Sequence, residues 1–378
     1  MSASSSGSAK PTTRRARFQE SGLVLVILVL GALITAFCGK VKVPVFQTNA
    51  QGEEERVFRV NASGERELVL VEKNKFLNAQ NLAQLAKDTS FIAIMAVGAT
   101  FVIISGGIDL SVGATYALAS VLAAMVFHSY GPNGPHASIS PWVGVPAGIM
   151  VCLGLGLLCG LANGGMIVAL RVHPFIITLG TMAIFRGIAF VVTKGLSIGE
   201  FPPAFRSMVR WEVGEHLSVV PLIVMVLVAL IGGLYLSRQA AGRRVFAVGG
   251  NELASRFSGI RINRVKLSVY LFSGLTAGIA ALLSLGYYGG ATSADGTGYE
   301  LNVIAAAVVG GASLSGGKGS ALGALLGALI IQMISSGIVI LGLEQNYSQI
   351  IIGSVVILAV LLDQVNNWLG RRRLARTE

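Results

Sequence analysis

The sequence predicts an all-α polytopic membrane protein: about ten transmembrane helices in two pseudo-equivalent halves, with broken or short helices near GG-x-x-L-S-x-G turns. Three observations predict it. Hydrophobic residues make up 53% of the 378 residues and charged residues 12%, about half the charged share of an average soluble domain. Mean hydropathy is +0.71, and apolar runs of roughly 16–25 residues recur, long enough to cross a bilayer. Residues 106–113 read GGIDLSVG and residues 310–317 read GGASLSGG, as two related halves would.

Helices are expected at 22–38, 86–105, 109–128, 142–169, 174–193, 218–236, 266–286, 300–313, 319–341 and 347–363. The first follows Arg14, Arg15 and Arg17 and is shaped like a signal peptide. No small-x-small cleavage site follows cleanly and Phe37 argues against a lipidated Cys38, so it reads as an uncleaved membrane helix. The eighth is too short to span alone.

Orientation follows from lysine and arginine. One face collects Lys10, Arg14, Arg15, Arg17, Arg171 and Lys318. It also collects the bases at 238, 243, 244, 256, 261, 264 and 266 and the C-terminal Arg371, Arg372, Arg373 and Arg376. Both termini are therefore expected in the cytoplasm. The chain divides into a cytoplasmic tail (1–21), a transmembrane domain (22–363) and a second cytoplasmic tail (364–378). The transmembrane domain contains a polar outer insert at 39–85 and a cytoplasmic loop at 237–265. Within the insert, VFRV and ELVLV alternate around NASGE as a hairpin does. The sequon Asn61-Ala62-Ser63 has meaning only where secreted proteins are glycosylated. The net charge of +11 sits between apolar runs, so it reads as membrane orientation and lipid contact; no nucleic-acid signature accompanies it.

Asp109, set among glycines between two apolar runs, needs a reason. Gly106, Gly107, Leu110, Ser111 and Gly113 match Gly310, Gly311, Leu314, Ser315 and Gly317, and both stretches join an inward helix to an outward one. Glycine lets the chain reverse or unwind at such a junction. Asp109, or its counterpart Ser313, is expected to cap the following helix, where negative charge meets the positive end of the helix dipole. A direct role toward substrate or a proton is the alternative.

Arg186 is the one ionisable residue well inside a span, at a cost of about 2.5–3.5 kcal/mol or more near the bilayer centre. Two readings are open: an ion pair with Glu300 inside the bundle, or snorkelling to the outer surface. Asn163 sits in a stripe of Gly156, Gly160 and Gly164; it either bonds across helices or faces a substrate path. That stripe, Gly274 with Gly278, and Gly319, Gly323 and Gly327 let membrane helices approach closely. Cys38, Cys152 and Cys159 show no metal spacing and read as small buried hydrophobes.

In the cytoplasmic loop, Asn251 is a good N-cap, Glu252 stands in the first turn and Gly259 is a good stop. Leu253 and Phe257, four apart, form an apolar stripe. So short a helix rests either on lipid head groups through Arg243, Arg244, Arg256 and Arg261, or in a groove of a protein partner.

Enzyme chemistry finds no footing. ASLSGGKGS (312–320) imitates a phosphate-binding loop, but Ala312 replaces the first glycine and Gly319 follows the lysine. His128, His136, His173 and His216 are scattered and fit no metal motif.

GGIDLSVGATYALAS, LRVHPFIITLGTMAIFRGIA, GRRVFAVGGNELASRFSGI, VVGGASLSGGKGSALGALLGALI and YSQIIIGSVVILAVLLD together closely resemble the permeases of bacterial ribose-type sugar ABC importers. The resemblance runs over roughly 76–365, in matching order. It implies an inner-membrane permease that binds no cofactor itself. It would pair with a second copy or paralogue and dock on a cytoplasmic ATPase carrying ATP and Mg. A monosaccharide would arrive from a periplasmic binding protein and cross by alternating access. The family's ATPase-coupling role would fall on Gly250, Asn251, Glu252, Leu253, Ala254, Arg256, Phe257 and Gly259. Related permeases carry nucleosides, signalling-sugar derivatives or branched-chain amino acids, and a non-transporting scaffold is the alternative of another class. The insert at 40–75 is longer than the family leads one to expect, and His173 before Pro174 is unusual.

Overall fold

The computed structural model describes residues 12–48, 54–61, 65–214 and 217–374; Lys10, Ala62, Ser63, His216 and Arg376 lie outside these. Helices dominate: α1 (Thr12–Phe37), α2 (Ala79–Ile104), α3 (Val112–Ser129), α4 (Pro141–Leu170), α5 (Pro174–Thr193), α6 (Pro203–Val209), α7 (Val219–Arg238), α8 (Ala240–Gly250), α9 (Glu252–Phe257), α10 (Ile262–Tyr288), α11 (Tyr299–Val309), α12 (Ala321–Ile340) and α13 (Asn346–Leu374). Among the described residues, eight are long and apolar enough to cross a membrane; α11 and the apolar part of α13 are shorter.

From Phe91 onward α2 is apolar on every side and forms the centre: its hydrophobic stretch is 94% buried, against 6% for α1. It packs among α7, α10, α11 and α12. It begins before the expected 86 because Asn78 caps it, accepting from the Asn81 amide, so the first turns are polar. Helix α11 ends at Val309, four residues before the expected 313, where the chain turns.

Glycines set the closest approaches. A Cβ at Gly156 or Gly160 on α4 would strike backbone carbonyls at Gly274 or Tyr270 on α10. One at Gly327 on α12 would strike the Ala306 carbonyl on α11. Bare backbones in contact replace side-chain packing there. Helix α6 was not foreseen; its Phe205 stacks on Phe127 of α3 at 4.0 Å.

The polar insert is a ribbon of paired strands. β1 (Lys40–Pro44) pairs antiparallel with β6 (Leu70–Asn74), β2 (Phe46–Thr48) with β3 (Glu54–Arg56), and β4 (Phe58–Val60) with β5 (Arg66–Leu68). The last pair is the hairpin read from VFRV and ELVLV. Backbone bonds among Val45, Val57 and Val69 join the three pairs. At the base, Asn74 donates to the Thr35 carbonyl and accepts from the Phe76 and Leu77 amides, tying the ribbon to α1.

Candidate functional site

Both glycine turns end their helices by one device. After α2, the Gly106 amide bonds Ile103 and the Gly107 amide bonds Val102; after α11, Gly311 bonds Val308 and Ala312 bonds Ala307. The residue with positive φ is Gly106 (83°) in the first turn and Gly311 (96°) in the second, the left-handed position that favours glycine. The spatial match is therefore Gly106 with Gly311, one residue off the Gly106–Gly310 match read from the letters. Gly107 is needed for another reason: a Cβ there would lie 2.6 Å from the Tyr270 hydroxyl.

Two capping expectations are corrected. Ser111, not Asp109, holds the N-cap position of α3, and α12 is capped by Ser320, which accepts from the Gly323 amide, not by Ser313. The Ser313 amide closes its own loop onto Lys318, and Ser315 is exposed. The second loop is longer than the first, so its serine cannot stand where Asp109 does.

Asp109 instead anchors a buried polar chain. Its Oδ1 accepts from the Ser111 amide at 2.9 Å and the Ser111 hydroxyl at 2.7 Å, and its Oδ2 from Ser273 of α10 at 2.8 Å. Asn163 of α4 donates to Ser111 Oγ at 2.7 Å and accepts from Thr181 of α5 at 2.6 Å. Tyr270 and Thr178 both donate to the Ile108 carbonyl. All these side chains are buried, Tyr270's almost completely. The chain of bonds ties α3, α4, α5 and α10 to the first turn. Buried polar groups left without such partners cost about 1–3 kcal/mol each. Sequence reading found Asp109, Ser111 and Asn163 and missed Ser273, Thr181, Thr178 and Tyr270. Their signal was present: Thr178 with Thr181, and Tyr270 with Ser273, stand three apart on otherwise apolar helix faces.

The second polar centre settles the two readings of Arg186. Its Nη2 lies 3.2 Å from Glu300 Oε1, and Nη1 donates to the Ser293 and Asp295 carbonyls. The guanidinium thus points into the bundle and fastens the segment leading into α11. Glu300 stands in the first turn of α11, where the helix dipole favours a carboxylate. Gly113 in the first turn of α3 passes against Glu300, since a Cβ there would lie 2.5 Å from Oε1. One helix turn therefore carries Ser111 at the first centre and Gly113 at the second.

The loop at 237–265 holds two helices rather than one. Asn251 caps α9, accepting from the Ala254 amide at 2.9 Å, and Gly259 takes φ 77° beyond its end. Glu252 is held by Lys266 at 2.8 Å. Leu253 is 64% exposed and Phe257 83%. Helix α8 runs back into the bundle, and its end meets both glycine turns. The Gly317 amide donates to the Ile104 carbonyl at 2.8 Å. A Cβ on Gly249 would strike that carbonyl and lie 2.7 Å from the Gly317 nitrogen; one on Gly316 would lie 2.5 Å from the Gly249 oxygen. Three segments join by backbone alone. Gly249 was not singled out in the sequence, because only the partners make it special.

Other residues fall into place locally. His173 caps α5 by accepting from the Phe175 amide at 3.3 Å. The three cysteines are buried. Among the described residues, no three His, Cys, Asp or Glu side chains converge as metal ligands.

Residues 81–360 match the family model described as "Branched-chain amino acid transport system / permease component". The chain is 38% identical over 294 residues to the ribose import permease protein RbsC of Escherichia coli strain K12, covering 76% of this chain and 87% of that one. It is 37% identical over 300 residues to the ribose import permease protein RbsC of Bacillus subtilis strain 168, covering 79% and 88%. It is 33% identical over 312 residues to the autoinducer 2 import system permease protein LsrD of Escherichia coli strain K12, covering 79% and 90%. The β-ribbon of 40–74 precedes the segment matched by the family model.

Proposed function

Because the chain belongs to the family of branched-chain amino acid transport system permease components, we propose that it is the membrane subunit through which a monosaccharide of the ribose class enters the cell. It is a multi-pass, non-catalytic permease subunit of an ATP-binding-cassette importer, so ATP hydrolysis belongs to a separate ATPase and cargo arrives on a binding protein. The likeness to two ribose permeases over most of their length supports the sugar. The likeness to LsrD supports a second reading within the same class, a signalling-sugar derivative such as autoinducer 2.

The observation that carries the mechanism is the meeting of Gly249 with Ile104 and Gly317. Helix α9 presents Leu253 and Phe257 to the ATPase, while the end of α8 presses on both glycine turns. A push on α9 then reaches Asp109 and Ser111 without passing through any flexible side chain. ATP-driven closure of the ATPase pair rocks this loop, the turns shift against α3 and α10, and the bundle changes the side on which it opens. Hydrolysis resets it. The Arg186–Glu300 pair keeps the segment before α11 attached as this happens. In this reading both termini and the loop lie on the cytoplasmic side, the β-ribbon lies outside, and a second copy or paralogue completes the path.

The experiment is uptake into vesicles holding the permease, its co-purifying ATPase and its binding protein, with labelled ribose, xylose, autoinducer 2 and leucine. ATP-dependent accumulation of a sugar is expected. Leucine accumulation alone would overturn the cargo assignment, and a chain that purifies without an ATPase would overturn the coupling role of α9.

A further inference from the structure

About 17 residues back along α2 from the glycine joint, roughly 26 Å at the helical rise, a cavity of about 170 Å³ opens. It lies between the start of α2, the end of α10 and the paired strands Glu212–Val213 and Leu217–Ser218, and Gln80, Gln84, Lys87, Glu212, Ser218 and Tyr287 line it. Lys87 is 2% exposed and Ser218 3%, yet neither Lys87 Nζ nor Ser218 Oγ has a hydrogen-bond partner; among the described residues only Arg206 Nε shares that condition. The Lys87 charge is held, with Asp88 Oδ1 at 3.2 Å and the Tyr287 and Tyr288 ring centres at 3.9 and 4.8 Å. Its hydrogen-bonding capacity is not: an ammonium has three donors, and burying a polar group without a bond is costly. Ser218 starts α7 without using its hydroxyl as a cap.

The charges around the cavity cancel. Lys87 and Arg210, whose guanidinium lies 5.3 Å from the Tyr287 ring centre, stand against Asp88 and Glu212. An anion meets Glu212 and a cation meets Lys87, so neither is selected. A neutral molecule with several hydroxyls can accept from Lys87, donate to Glu212 and exchange bonds with Ser218 and the two glutamine amides. The geometry points to a binding site here for a small uncharged polyol, of the chemical class of a monosaccharide. The site rests on the cargo reading above in its choice of sugars as probes, while its geometry stands apart from the Asp109 chain and the Arg186 pair.

The test uses the full chain in lipid nanodiscs without partners, titrated with ribose, xylose and galactose and read by saturation-transfer NMR, with leucine as control. A saturable sugar signal is expected, weakened at least tenfold in both Lys87→Met and Ser218→Ala and absent for leucine. No saturable signal from any sugar, or unchanged affinity in both variants, means the cavity holds water only and overturns the site. Ser218→Ala removes one oxygen, so its result stands even if Lys87→Met does not fold. Vesicle uptake separates the two proposals. Sugar uptake without nanodisc binding sinks this site and leaves the cargo reading; sugar binding beside uptake of leucine alone sinks the cargo reading and leaves the site.

Discussion

The Gly317 amide donates to the Ile104 carbonyl at 2.8 Å, with Gly249 seated against both. The end of α2 and the second glycine turn, far apart in the chain, are thus bonded to each other and touched by the end of α8.

Gly249→Ala should break this joint. The added methyl has only backbone to displace, and forcing atoms into a filled contact costs about 1–3 kcal/mol. Uptake should fall at least tenfold in the reconstituted importer while the ATPase stays bound. Gly165→Ala, which meets open space, is the control. Wild-type uptake in Gly249→Ala would remove the joint from the mechanism.

Asp109→Ala should destabilise the chain more than Asp109→Asn. Alanine leaves the Ser111 amide and the Ser111 and Ser273 hydroxyls without an acceptor, at about 1–3 kcal/mol each before relaxation. Asparagine keeps one accepting oxygen. Thermal unfolding in detergent orders the two variants; equal midpoints would show that the carboxylate does not hold the turn.

Arg186→Met should lower stability and uptake more than Arg186→Met combined with Glu300→Gln. Removing one partner of a buried pair costs up to about 3–5 kcal/mol because the other charge is left behind, and this pair is partly buried. The double variant should still fall short of wild type, since the Ser293 and Asp295 carbonyls also lose their donor. A double-mutant cycle with no coupling energy would argue that the pair does not act together.

Leu253→Asp with Phe257→Asp should leave folding within about 0.5 kcal/mol of wild type, since both side chains are exposed. ATP hydrolysis should then proceed without uptake, or the ATPase should be lost from the purified complex. Normal uptake with the ATPase attached would show that α9 is not the coupling element.

Much of the fold was legible because a membrane span leaves a long signal. The boundaries of α5 fall where the apolar run 174–193 puts them, and Asn251 and Gly259 frame α9 as local cap chemistry demands. The start of α2 was not legible in hydropathy, because Asn78 caps a helix whose first turns are polar. Asp109 was misread as a cap because its nearest chain neighbours suggest one. It does bond locally to Ser111, but the partner of its Oδ2, Ser273, lies 164 residues away.

By itself the sequence determined a mainly helical polytopic membrane protein, its repeated glycine turns and the short capped helix of the 237–265 loop. Each of these depends on composition and on contacts within a turn or two of chain, which the letters carry directly. The tertiary structure decided that Gly106 answers to Gly311, that Asp109 binds Ser273, that Arg186 reaches Glu300 and that Gly249 closes the joint. Those facts depend on which backbones come within bonding distance across the bundle. Close approach between residues far apart in the chain is a property of packing, and no local pattern encodes it.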